Sequence, residues 1–156
     1  MRAWIFWLIA IVLASSVAAS AASSPQDKKS IAACLEAAAD EIGAKCIGIV
    51  ADPCIKAIRD DDTSATKAKA CAARELAVWD EEISTALKAI DTAGRDIKAP
   101  VAAAQKSWRE SRDRLCPAFD KIDPGMFVGG SSYCRLQETA RRALMLRRLA
   151  AAVGEH

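Results

Sequence analysis

The chain has 156 residues and carries 22 Lys and Arg against 20 Asp and Glu, a formal net charge of +2. This length fits one domain. The charge balance excludes a strongly basic nucleic-acid-binding protein and a chain with a strongly acidic tail.

Residues 1–22 have the pattern of a secretory signal peptide. Arg2 precedes the bulky apolar run 4–13, and small residues follow, with an A-x-A site at 19–21. The bulky run is shorter than the roughly 20 residues that span a bilayer, although the small residues up to 22 could extend it to an uncleaved anchor. Cleavage would remove Arg2 as the only charged residue and lower the net charge to +1.

All six cysteines follow this segment. An even number of cysteines in an exported chain predicts disulfides. A metal site is not predicted, because the sequence has no C-x-x-C motif and its single histidine is His156. The residues do not choose among the fifteen pairings, although Cys116 with Cys134 is favoured because it would close a long loop. The cysteines are Cys34, Cys46, Cys54, Cys71, Cys116 and Cys134.

The first half of the remaining chain predicts one short helix and one long helix. Residues 23–30 are predicted to be a polar, disordered arm, and Ser30 is a suitable N-cap for a helix over 31–42. Residues 46–54 contain Gly48 and Pro53, which favour a loop or a short broken helix. Apolar residues at helical spacing predict a long helix over 66–92.

The second half predicts a second long helix over 97–115, a loop over 117–133 and a last helix over 135–153. The connection between the two long helices is short, so we expect them to be antiparallel neighbours, with Trp79 meeting Trp108. The predicted fold class is therefore all-α, a small disulfide-stapled helical bundle built on a long antiparallel helical hairpin.

Three motifs occur in a fixed order along these helices. The first is Cys71-x-x-x-Glu75-x-x-x-Trp79-Asp80. The second is Gln105-x-x-Trp108-x-x-x-Arg112-Asp113-x-x-Cys116. The third begins at Gly129-Gly130-Ser131, passes Cys134 and ends in Thr139-x-x-Arg142-Ala143-x-x-Leu146.

Together these motifs resemble the bacterial lysozyme-inhibitor LprI-like family, from about residue 54 to the end. The resemblance implies an exported, helical, disulfide-linked protein, with an LprI-like helical domain over 31–156. The chain departs from the family at Ile83-Ser84 and Leu87, where Leu-Asn and Tyr are usual. Any polar contact that the family makes through that amide and phenol is therefore in doubt here.

Arg112 lies beside the apolar stripe that contains Trp108, and an isolated buried charge is costly. We expect it to pair with Asp80 on the neighbouring helix, with Glu75 as the second choice. A ligand-facing Arg112 is the alternative. The residues expected to form this structural motif are Trp79, Asp80, Gln105, Trp108, Arg112, Asp113, Thr139 and Arg142.

The sequence predicts a non-catalytic binding protein without a cofactor. No internal histidine is available for proton transfer, and cysteines held in disulfides cannot act as nucleophiles. As the resemblance implies, the 117–133 loop could occlude the cleft of a lysozyme, with Arg114 or Lys121 as charge complements. The candidate binding residues are Arg114, Lys121, Phe127, Gly129, Gly130, Ser131 and Tyr133.

An alternative function is a structural or assembly module of the cell envelope. Its arginine-rich last helix would dock onto another exported protein or an anionic surface. The relevant residues are Arg141, Arg142, Arg147 and Arg148. Under both hypotheses the protein is periplasmic or secreted, its partner is not a nucleic acid, and it touches a membrane only through an uncleaved signal segment.

Overall fold

The computed structural model describes residues 23–38, 43–92, 96–122 and 129–154. The predicted signal peptide and Phe127 lie outside the described residues. The helices are α1 (Pro25–Ala37), α2 (Ala51–Lys56), α3 (Ser64–Thr92), α4 (Lys98–Leu115) and α5 (Gly130–Gly154), with 3-10 turns at Ala44–Cys46 and Cys116–Asp120. The described residues form no strand, so the predicted all-α class is confirmed. In these same ranges, no helix is long and apolar enough to cross a membrane.

Helices α3 and α5 form the main packing pair, because each carries a continuous apolar face. Trp79 of α3 and Leu136 of α5 are both fully buried in this core. The prediction that α3 and α4 form the main pair is therefore wrong. Helix α4 buries only Gln105 along its length, because alanine and polar residues interrupt its apolar stripe. Trp108 is only partly buried and packs against the edge of the core.

All six cysteines form disulfides, and the favoured pair Cys116–Cys134 is confirmed. The other pairs are Cys34–Cys46 and Cys54–Cys71. Their Cα–Cα distances of 5.8 and 5.7 Å, and 5.4 Å for Cys116–Cys134, lie in the usual range. These bonds fix segments that have little core of their own, and they fit an extracytoplasmic location.

Helix α1 begins at Pro25, six residues before the predicted start, so residues 25–30 are helical and the predicted disordered arm is wrong there. Ser24 and Asp27 form a capping box, in which the side chain of each residue accepts a 3.0 Å hydrogen bond from the backbone N–H of the other residue. Arg74 of α3 also donates to Asp27, with Nη2 2.7 Å from Oδ1. This contact ties the start of α1 to α3.

Helix α5 begins at Gly130, whereas the prediction started it at Arg135. Gly129 and Gly130 adopt positive φ angles of 87° and 46°, which only glycine tolerates readily. The Asp120 carboxylate then accepts a 3.0 Å hydrogen bond from the Ser131 N–H in the first turn of α5. The end of the predicted loop, including Tyr133, is therefore helical.

Candidate functional site

Six of the eight residues of the predicted structural motif, those on α4 and α5, form a polar cluster between these helices, whereas Trp79 and Asp80 lie on α3. The Arg112 guanidinium lies over the Trp108 ring, with Cζ 4.8 Å from its centroid. Arg112 Nη1 donates to Thr139 Oγ1 at 2.9 Å, and its Nε donates to Asp113 at 3.1 Å. The guanidinium is thus shared among an aromatic face, a hydroxyl and a carboxylate, so Arg112 holds α4 to α5.

Arg142 makes the second half of this polar cluster. Its Nε donates to Gln105 Oε1 at 2.7 Å, and its Cζ lies 5.8 Å from the Trp108 ring centroid. Gln105 and Thr139 are both buried, so their polar groups need these partners. The cluster joins α4 to α5. It engages the guanidinium groups of Arg112 and Arg142, so few of their N–H donors remain for a ligand.

Asp80 does not hydrogen-bond to Arg112 in the part of the chain that the structure describes. Asp80 retains solvent exposure, but surrounding protein atoms desolvate its carboxylate and raise its pKa. The positive charge of Arg112 acts in the opposite direction and lowers that pKa. The expected hydrogen-bonded pair of Asp80 and Arg112 is therefore wrong, and the two residues interact only through their charges. The guanidinium of Arg112 instead donates hydrogen bonds to Asp113 and Thr139.

Glu75, the second choice as a partner of Arg112, instead holds the start of α2. Its fully buried carboxylate accepts hydrogen bonds from the backbone N–H groups of Gly48, Val50 and Ala51 at 2.7, 2.9 and 2.8 Å. The Trp79 indole donates to the same carboxylate at 2.9 Å. Four donors thus satisfy Glu75. The sequence signal was the four-residue spacing of Glu75 and Trp79 on the inward face of α3.

Tyr133 is partly buried and is not the free loop residue that the sequence suggested. Its hydroxyl donates to Asp52 Oδ1 of α2 at 2.6 Å. Burial, this hydrogen bond, and the negative charges of Asp52 and Glu75 raise the pKa of Tyr133 to about 12. Tyr133 therefore joins the first turn of α5 to α2.

Tyr133 is the only tyrosine in the chain, so tyrosinate absorbance reports this one phenol. We expect it to ionise near pH 12 in the folded protein and near pH 10 in denaturant. Because the folded state retains the proton longer, the free energy of unfolding should fall as pH rises from about 10 to about 12. Ultraviolet titration with and without denaturant measures both values. Equal midpoints in the folded and denatured protein would contradict the Tyr133–Asp52 contact. The Tyr133→Phe variant has no tyrosine and serves as the baseline for the absorbance.

An exposed surface surrounds the Cys116–Asp120 turn. Leu115 and Ile122 flank this turn, with 52% and 48% of their surface exposed. Each follows an exposed cation, Arg114 or Lys121. We call these four residues the turn surface. Both predicted cations of the binding loop thus lie at the surface.

The remaining described members of the predicted binding loop are less available. Gly129 is buried, and Gly130, Ser131 and Tyr133 are partly buried at the start of α5. The turn surface was therefore only partly predicted. Exposure of Leu115 was missed because the sequence pattern placed it on the inward face of α4.

The arginines of α5 are largely engaged within the protein. Arg141 pairs with Glu138 at 2.8 Å, and Arg147 pairs with Glu82 of α3. Arg142 binds Gln105, as described above. Three of the four arginines thus have partners within the protein, while Arg141 and Arg147 keep 60% and 45% of their side chains exposed. Within the described ranges, no group of three or more His, Cys, Asp or Glu is arranged to hold a metal ion.

A family model described as Lysozyme inhibitor LprI matches residues 57–149, more than half of the chain. The matched segment contains α3, α4, the turn surface and most of α5. No curated protein and no solved structure matches the chain.

Proposed function

The chain belongs to the LprI lysozyme-inhibitor family, and from this premise we propose that it is an exported, non-catalytic protein that inhibits a lysozyme. In this proposal the turn surface covers the substrate cleft of the enzyme. The observation that carries the proposal is that the family match includes two exposed apolar side chains and two cations around one disulfide-bonded turn.

The turn surface is held rigidly, which favours binding because little freedom remains to be lost. Cys116 at the start of the turn is fully buried and bonded to Cys134 of α5. Asp120 at its end accepts the hydrogen bond from Ser131. That interaction lowers the pKa of Asp120, and the negative charge of its carboxylate lies at the positive, N-terminal end of the α5 dipole.

The chemistry of the turn surface complements a lysozyme cleft. Glycoside hydrolases of this class place two carboxyl groups on either side of the bond they cleave. Arg114 and Lys121 supply positive charge opposite such carboxylates. A net charge of +2 gives little long-range steering, so affinity must come from local contacts. Burial of the exposed half of Leu115 and of Ile122 would supply part of it, at about 1 kcal/mol for each side chain.

The proposal is tested by mixing the purified, oxidised protein with a c-type lysozyme and following the lysis of cell walls. We expect inhibition, and the Leu115→Ser/Ile122→Ser variant should raise the half-inhibitory concentration by at least about ten-fold. Met145→Ser is the matched control, because Met145 is similarly exposed, at 47%, but lies elsewhere on α5. Undiminished lysis at a large molar excess of the wild-type protein would exclude this enzyme class as the target.

A further inference from the structure

We propose that the lysozyme-binding surface has a second part, the turn formed by residues 48–51, with Ile49 as its contact residue. This inference rests on the proposed function and extends the same surface. The sequence did not indicate it, because Ile49 lies in a segment predicted only to be a loop or a broken helix. The family match begins at residue 57, so this second part lies outside the matched region.

The 48–51 turn and the turn surface are both attached to the first turn of α5. The Tyr133 hydroxyl is 2.6 Å from Asp52, and the Asp52 N–H donates to the Gly48 carbonyl at 2.8 Å. On the other side, Tyr133 precedes Cys134, whose Cα lies 5.4 Å from that of Cys116. Cys116 directly follows Leu115. Both turns are therefore joined to the first turn of α5, one through Tyr133 and the other through Cys134.

Most of the exposed large apolar side chains belong to segments that are attached to the first turn of α5. In the described part of the chain, the exposed large apolar residues are Ile49, Leu115, Ile122 and Met145. Three of these four belong to the two turns. Met145 lies eleven residues beyond Cys134 along α5, which corresponds to about 16 Å. Single exposed apolar residues are ordinary, whereas several that are grouped together mark an interaction surface.

Ile49 is held outward by a turn that cannot rearrange easily. The backbone N–H groups on either side of it, those of Gly48 and Val50, both donate to the buried Glu75 carboxylate. Gly48 is buried, whereas the Ile49 side chain is 38% exposed. A fixed apolar side chain of this kind loses little conformational freedom when a partner covers it. We infer that Ile49 packs against the rim of the same cleft that receives Arg114 and Lys121.

The test is Ile49→Ser in the lysozyme inhibition assay with the full, oxidised chain. Because Ile49 is 38% exposed, the variant loses some packing, so inhibition is compared at a temperature where circular dichroism shows both proteins to be folded. The half-inhibitory concentration should nevertheless rise by about ten-fold, while Met145→Ser leaves it unchanged. Equal inhibition by Ile49→Ser and wild type, with inhibition weakened by Leu115→Ser, would overturn the second part of the surface and leave the proposed function standing. Failure of the wild-type protein to inhibit would overturn both.

A second variant tests the link between the two turns. Tyr133→Phe removes only the hydroxyl that binds Asp52. We expect it to weaken inhibition because the 48–51 turn then loses its hydrogen bond to the first turn of α5. When Tyr133→Phe is already present, Ile49→Ser should cause a smaller additional loss than it does alone. Equal losses in the two backgrounds would overturn Tyr133 as a positioning residue.

Discussion

Glu75→Gln is expected to lower the free energy of unfolding by about 3 kcal/mol or more. Glutamine has nearly the same size, but it replaces one carboxylate oxygen by an NH2 group. Oε1 accepts from Gly48 and Trp79, and Oε2 accepts from Val50 and Ala51. In either orientation of the amide, two buried donors therefore face another donor. Each unsatisfied group costs about 1–3 kcal/mol.

Denaturant unfolding of the oxidised protein measures this loss. Glu110→Gln on α4 is the matched control, because Glu110 is exposed and its change should stay within about 0.5 kcal/mol. A loss below about 1 kcal/mol in Glu75→Gln would show that the four hydrogen bonds do not hold the start of α2.

Replacing both Cys116 and Cys134 by alanine is expected to cost about 3 kcal/mol of stability, given a separation of 18 residues between them. The cost arises because the unfolded chain gains the freedom that the bond removes. We also expect inhibition of lysozyme to fall more than the folded fraction does, because the turn surface loses its attachment to α5. Thermal unfolding measures the first effect, and inhibition at a temperature where the variant is folded measures the second.

The matched control is Ile90→Ala on α3. Ile90 is 1% exposed, so loss of its side chain should lower stability by a similar amount, about 2–5 kcal/mol. Ile90 lies near the C-terminal end of α3, about 20 Å along the helix from Glu75, which holds the 48–51 turn. If both variants lost inhibition equally under conditions where they are folded, the effect would come from general destabilisation and the specific role of Cys116–Cys134 would be wrong.

Helical periodicity was sufficient to predict the existence and type of the long helices. It placed α3 over 66–92 and α4 over 97–115, close to the observed Ser64–Thr92 and Lys98–Leu115. The start of α1 was missed because its signal is a reciprocal cap between Ser24 and Asp27, which apolar spacing does not show. The early start of α5 depends on Asp120, ten residues upstream of Gly130.

The pairing of helices could not be predicted from proximity along the chain. A short connection favoured α3 with α4, but the residues of α4 have too little apolar bulk to compete with α5 for the face of α3. Helical spacing indicated that Glu75 and Trp79 share a face of α3, but it could not indicate the other partners of Glu75. Its hydrogen-bonding partners are backbone groups of a segment that is more than 20 residues away and has no regular apolar pattern.

Helix α4 buries only Gln105 and meets the rest of the protein through the polar cluster around Trp108 and through Val101 and Trp108, which are partly buried against the core. Such a helix can separate from its neighbours at a smaller free-energy cost than α3 or α5, whose separation would expose the core. The disulfide at Cys116 anchors its C-terminal end, whereas the Lys98 end is held by an exposed ion pair with Asp91. We therefore expect amide hydrogen exchange to be faster in the N-terminal half of α4 than in α3 and α5, with the residues next to Cys116 protected longest within α4.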